Sequence, residues 1–212
     1  MMKLPGLPLP AFSTALLCLL FSMPAAAEAR IGEGRETIER RLFSAGGIVY
    51  RDDQIEANRR RGMPYVKFME FMPDSAELRI YYKTPDGRKP KSSSMEEKRM
   101  LPGWDIHVLY VRGKSVLEVY RRSQAMTDPE LKLLLAALAQ GSYWKKVKPD
   151  PEDEESLPTA FGYDLERDDS QVRGKTLGRD TLMVFDTGFD AGLAEMETAD
   201  DLERAPDSVN GF

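Results

Sequence analysis

Three side chains in this sequence have types and settings that could move a proton: His107, Glu118 and Asp186. His107 is the single histidine among 212 residues. Imidazole is the side chain whose unperturbed charge changes near neutral pH. His107 lies in an apolar run, Trp104 to Val111, followed by Arg112-Gly113-Lys114 and a second run, Ser115 to Arg121. The two runs predict a β-hairpin, in which side chains meet across the ladder. Depending on the turn register, His107 faces Glu118 or Tyr120, and a His–Glu pair can do acid–base work. No nucleophile is identifiable beside them. Asp186 follows the apolar stretch Leu182 to Phe185 and opens Asp186-Thr187-Gly188. A carboxylate there activates a water if a second carboxylate shares its proton. A turn after a short strand uses the same residues for backbone reasons.

The triplet at Asp186 resembles the catalytic loop of aspartic proteases, which implies a carboxylate-dependent hydrolase. The chain carries one such triplet, so a dyad would need two copies. Only 24 residues follow Gly188, and they are acidic where the protease fold requires further strands. Ser142-Tyr143-Trp144-Lys145 has the Ser-x-x-Lys spacing of penicillin-recognising enzymes. Ser142, however, follows a helix terminator, Gly141, and no Ser-Asp-Asn partner is present.

Residues 1–27 read as a secretory signal peptide. Lys3 supplies the positive start, Ala15 to Phe21 the apolar core, and Ala25-Ala26-Ala27 the small residues before the cut. The apolar run is shorter than the roughly 20 residues that span a bilayer. Cys18, the only cysteine, lies inside this segment. The processed chain is therefore expected in the periplasm or outside the cell, with no transmembrane span. Thiol catalysis, disulfides and cysteine metal sites are excluded there, and a lone histidine excludes a multi-histidine zinc site. No metal and no cofactor are expected.

Cationic runs give candidate binding residues: Arg59, Arg60 and Arg61, then Arg121 and Arg122, then Lys145 and Lys146. Such patches serve nucleic acids, but export and the lack of a base-reading motif argue against that partner. A protein, an anionic envelope component, or the chain's own acidic end is the expected counterpart. Charge divides the sequence sharply. Residues 28–148 hold 24 Lys+Arg and 17 Asp+Glu, a balance of +7, whereas residues 149–212 hold 5 and 18, a balance of −13. The border, Pro149-Asp150-Pro151-Glu152-Asp153-Glu154-Glu155, has the composition of a solvated linker. The expected organisation is a signal peptide (1–27), a basic α+β domain (28–148), and an acidic linker and tail (149–212) with room for short strands. The tail could dock back on the basic domain.

The elements that would position these residues follow from pattern. Ile38 and Leu42 predict a helix over 35–43. Asp52 or Asp53 caps a second helix through Arg61, stopped by Gly62 and Pro64. Tyr65 to Phe71 reads as a strand, and Leu78, Ile80 and Tyr82 alternate with polar neighbours as a strand with one wet face. Residues 84–103 read as a long loop. A two-residue hairpin turn places Ile106, Val108 and Tyr110 on one face with Leu117 and Val119, leaving His107, Glu118 and Tyr120 on the other. Thr127-Asp128-Pro129-Glu130 predicts a capping box, opening a helix that is apolar nearly all round and must be covered on more than one side. Trp144 is a packing anchor.

The expected fold class is α+β: a four-stranded antiparallel meander packed with N-terminal helices and one apolar C-terminal helix, followed by an acidic, largely irregular tail. In element order alone it resembles small exported scaffolds of the β-lactamase-inhibitor and outer-membrane-assembly type, which transfers no function. The expected function is a noncatalytic binding or assembly module of the cell envelope. A hydrolase using Asp186 is the alternative.

Overall fold

The structure, a computed structural model, describes residues 30–90, 102–148 and 157–204. The expected signal peptide, residues 91–101 of the long loop and the acidic run 149–155 lie outside the described residues.

Local signals act where the pattern placed them. Ile38 and Leu42, one turn apart, are the buried residues of α1 (Arg35–Ser44). Asp52 caps α2 (Asp53–Arg60), accepting from the backbone N–H of Gln54 at 2.8 Å and of Ile55 at 3.2 Å. The capping box at Thr127 and Glu130 opens α3 (Asp128–Leu138). Arg112 and Gly113 have φ of 52° and 76°, the left-handed pair that a two-residue type I′ turn requires.

The sheet is larger than the meander expected from sequence. It has eight strands, all antiparallel: β1 (Ile48–Val49), β2 (Glu77–Lys83), β3 (Trp104–Val111), β4 (Lys114–Arg122), β5 (Trp144–Lys146), β6 (Leu165–Arg167), β7 (Val172–Leu177) and β8 (Thr181–Asp186). Their order is β1-β2-β3-β4-β8-β7-β6-β5. From β4 the chain crosses by α3 to the far edge, and β5 to β8 then meander back to pair β8 with β4.

Three corrections follow. The segment expected as the first strand, Tyr65 to Phe71, is a 3-10 helix over Pro64–Phe71. Proline stands in its first turn, and Tyr65 and Phe68, spaced by three, are its buried residues. The two-residue β1 takes its place at the edge. Second, the acidic third is not largely irregular. It supplies β6, β7, β8 and the 18-residue α4 (Thr187–Arg204). Its 18 acids largely avoid the strands themselves: β6, β7 and β8 hold only Glu166 and Asp186. The strands are left with enough apolar residues to pair.

Third, the hairpin register differs. Val111 pairs with Lys114 as a two-residue turn demands, but the ladder shifts between Leu109 and Tyr110. That bulge reverses the parity of the rest of β4. Val108 stands opposite Glu118 and Ile106 opposite Tyr120, while His107 stands opposite Val119. Both faces are covered. On one, α1 and α3 pack Ile38, Leu42, Leu134 and Leu138 over Tyr81, Ile106, Val108 and Leu182. On the other, the 3-10 helix and α4 pack Tyr65, Phe68 and Leu193 over Leu109, Val119, Met183 and Phe185. Ile55 of α2 closes a smaller cluster on Tyr50, Ile80 and Tyr82. β2 therefore has no wet face at Tyr81, which is fully buried under α1.

Candidate functional site

His107 is 0% exposed and sits in a polar pocket beneath α2 and the 3-10 helix. Period-two alternation places Asp105 on the same face of β3. The Tyr65 hydroxyl lies 2.6 Å from His107 Nδ1. The Tyr50 hydroxyl donates to Asp105 Oδ1 at 2.9 Å, and Arg59 Nε stands 3.7 Å from Asp105 Oδ2. Arg121 is the cross-strand neighbour of Asp105. Burial drives the His107 imidazole down to about 3, helped by Arg121 and Arg59, so the ring stays neutral. Burial pushes the Asp105 carboxyl up, while Arg59, Tyr50 and Arg121 oppose the shift. The Tyr65 phenol is likewise raised by burial. The group is neutralised and enclosed, with no imidazole surface open to a substrate.

Glu118 faces the other way, so the His107–Glu118 pair does not form. Its carboxyl is 0% exposed and pushed up to about 8 by burial, which leaves it mostly protonated at neutral pH. Tyr120 donates its hydroxyl to Oε2 at 2.8 Å, while the Ser115 hydroxyl donates to the Arg30 carbonyl at 2.7 Å. Arg41, which donates to Glu33 Oε1 at 2.9 Å, contributes a weaker opposing pull. Nearby, the hydroxyls of Tyr81 and Tyr110 meet at 3.2 Å, and Tyr81 donates to Glu39 at 3.1 Å.

Asp186 ends β8 and accepts the backbone N–H of Phe189 at 2.8 Å, capping α4. Thr187 donates its hydroxyl to the carbonyl of Ser170 at 2.8 Å. The triplet is thus the joint between a strand and a helix. Deeper in α4, Asp190 is fully buried and accepts from the N–H of Ala160 at 2.9 Å and of Phe161 at 3.0 Å. Its other oxygen meets Arg173 Nη1 at 3.4 Å. Burial raises the Asp190 carboxyl against these bonds. Arg173 also donates to the carbonyls of Leu157 and Pro158, at 3.1 Å each, and its guanidinium lies 4.2 Å from the centre of the Tyr163 ring. This buried pair holds residues 157–163 against the sheet.

The cationic residues do not form one patch. Arg59 and Arg121 converge on Asp105, and Arg60 and Arg61 are exposed at the end of α2. Arg122 lies on the opposite face, bound to Glu130 Oε1 through Nε at 3.2 Å and Nη2 at 3.1 Å. Lys145 and Lys146 stand on β5, the outermost strand at the far edge, where Lys145 meets Asp168 at 2.5 Å. Among the described residues no three potential metal ligands come together, and no helix is long and apolar enough to cross a membrane.

An open groove lies beside α3, about 230 Å³ in volume, lined by Lys83, Trp104, Ile106, Tyr120, Glu130, Leu133 and Leu134. α3 turns Leu134 and Leu138 to the sheet and leaves Leu133 72% exposed. Trp144 donates its indole N–H to the Leu135 carbonyl at 2.8 Å, tying the other flank of α3 to β5.

Sequence reasoning missed Tyr50 and Tyr65 around His107, and the Arg173–Asp190 pair. Asp105 was legible, since two residues apart on a strand means one face. The tyrosines come from segments 42 and 55 residues away from their partners, and no local pattern announces them. No protein-family model matches this chain, and neither a curated protein nor a solved structure shows significant similarity to it.

Proposed function

We propose that the chain is an exported, noncatalytic binding or assembly module of the cell envelope, and that it engages a protein partner through the groove beside α3. The observation that carries this reading is Leu133, 72% exposed on an otherwise apolar helix and adjoining a groove walled by Trp104 and Tyr120. A large apolar side chain held in water next to aromatic walls is the composition of an interface core. The side chains with catalytic potential support the same reading. His107 and Glu118 are sealed on opposite faces, and Asp186 is occupied as a helix cap. Among the described residues the basic side chains are dispersed and offer an anionic polymer no continuous track.

The test is site-specific photo-crosslinking in cells from position 133, with the exposed Ala57 of α2 as the control position. A discrete adduct from position 133 that disappears with Trp104→Ala is the expected result. Equal labelling from both positions would remove the groove from consideration. Export is checked separately, by fractionating cells and sequencing the N-terminus of the processed chain.

A further inference from the structure

The two outer strands of the sheet end it differently, and β1 ends it unfinished. Ile48 stands opposite Tyr82 and Val49 opposite Tyr81, and the N–H of Tyr50 donates to the carbonyl of Ile80 at 2.9 Å. In an antiparallel ladder, main-chain groups point alternately toward and away from the partner strand. Tyr50 and Ile48 therefore bond inward to β2, and the N–H and C=O of Val49 point out of the sheet. Among the described residues no neighbouring strand receives them, because β1 is the last in the sheet order. Unpaired main-chain groups of this kind template another strand unless the edge is blocked.

Among the described residues this edge is flanked rather than blocked. A hollow of about 560 Å³ lies beside it, lined among the described residues by Phe43, Gly46, Ile48, Val49, Arg51 and Lys89. A second, of about 510 Å³, continues past Val49 and Arg51 to Glu56 and Leu78. Phe43 is 45% exposed at the first hollow. Arg51 and Lys89 are exposed and form no ion pair among the described residues, and no acidic side chain joins them in that lining. An added strand projects alternate side chains to opposite sides, so residues two apart share a side.

We propose that the open edge of β1 receives an extended peptide strand by β-addition, with main-chain bonds to Val49, an apolar side chain against Phe43, and an acidic side chain facing Arg51 and Lys89. The chemistry that selects this occupant is charge: a second copy of the chain would bring its own Arg51 and Lys89 to the same edge, whereas an acidic strand neutralises them. Main-chain bonding supplies affinity and the hollows supply selection. The surface is separate from the α3 groove and does not depend on it.

The probe is a fluorescein-labelled peptide of about eight residues, a typical strand length, in which one face carries valine and glutamate in turn at every second residue and the other face carries threonine. Its binding to the full processed chain is followed by fluorescence anisotropy. It should bind about tenfold more tightly than the same peptide with lysine in place of glutamate, the scale set by turning one or two exposed charge pairs from attraction to repulsion. Arg51→Glu combined with Lys89→Glu should invert that preference. N-methylation of alternate peptide amides should abolish binding in one register and spare it in the other. Leu133→Glu, which damages the proposed α3 groove, should leave peptide binding unchanged. Equal affinity for the glutamate and lysine peptides, or indifference to N-methylation in both registers, would overturn the proposal. Circular dichroism of the Arg51 and Lys89 double variant confirms that its fold is intact.

Discussion

Glu118 and His107 are opposite titration problems set by the same burial. The Glu118 carboxyl, ordinarily near 4.5, is held at about 8, so folding disfavours its ionised form. The resulting penalty is absent in acid, grows as the pH rises through the ordinary carboxylate range, and is complete above about 8. Gln mimics the protonated carboxyl and still accepts from Tyr120. Glu118→Gln should therefore match the parent stability in acid and exceed it by a few kcal/mol in alkali, read from urea midpoints across the pH range. His107, held at about 3, is stable neutral and loses its contribution as the pH falls below its ordinary value near 6.5 toward that point. His107→Gln should flatten the acid limb of the same curve and leave the alkaline limb alone. The Arg173–Asp190 pair belongs to a third category. With both side chains buried, removing one leaves the other uncompensated. Arg173→Leu should cost about 3–5 kcal/mol in urea unfolding, and adding Asp190→Asn should recover part of it.

At the scale of elements, function and support change places at Asp186. As a helix cap, Asp186→Ala should lower α4 stability by about 1 kcal/mol, while Asp186→Asn, which still accepts from the N–H of Phe189, should cost only a fraction of that. Thermal melting separates these outcomes from a catalytic role, for which the Asn replacement would be as damaging as Ala to any hydrolysis measured. α3 shows the reverse case. Its capping box and Arg122 fix its start, and Trp144 fixes its flank, yet none of these covers Leu133. That helix is anchored for reasons of fold and left open on the side where binding is proposed.

For the whole molecule, the decisive contact is β4 against β8, five paired positions from Leu117 to Arg121. Through it the acidic third supplies three of the eight strands of the sheet and contributes Met183, Phe185 and Leu193 to one core and Leu165, Val172, Leu182 and Val184 to the other. A chain ending at residue 148 would expose the long edge of β4 and open both cores. It should lose near-ultraviolet dichroism and the cooperative urea transition. A truncated chain that unfolds as sharply as the parent would mean that the first four strands stand alone. Association of the two parts would also be insensitive to salt, because ladder bonds and apolar burial join them rather than long-range charge.

The sequence by itself determined the features whose partners are a few residues away. Asp52 capping α2, the box at Thr127 and Glu130, the Arg112-Gly113 turn and the strand over Leu182 to Phe185 were legible because each is closed by bonds within one turn or by strict alternation. The candidate site was legible only in part: the apolar surplus of α3 led to the expectation of cover on more than one side, whereas the structure buries Leu134 and Leu138 and leaves Leu133 72% exposed. Tertiary structure alone decided which face His107 and Glu118 occupy, since one bulge at Leu109 and Tyr110 reverses every later side chain and leaves no mark in residue type. It alone decided that the acidic third joins the sheet, because strand pairing is chosen by distant edges and shared cores, and net charge over 64 residues averages away the short apolar runs that make the choice.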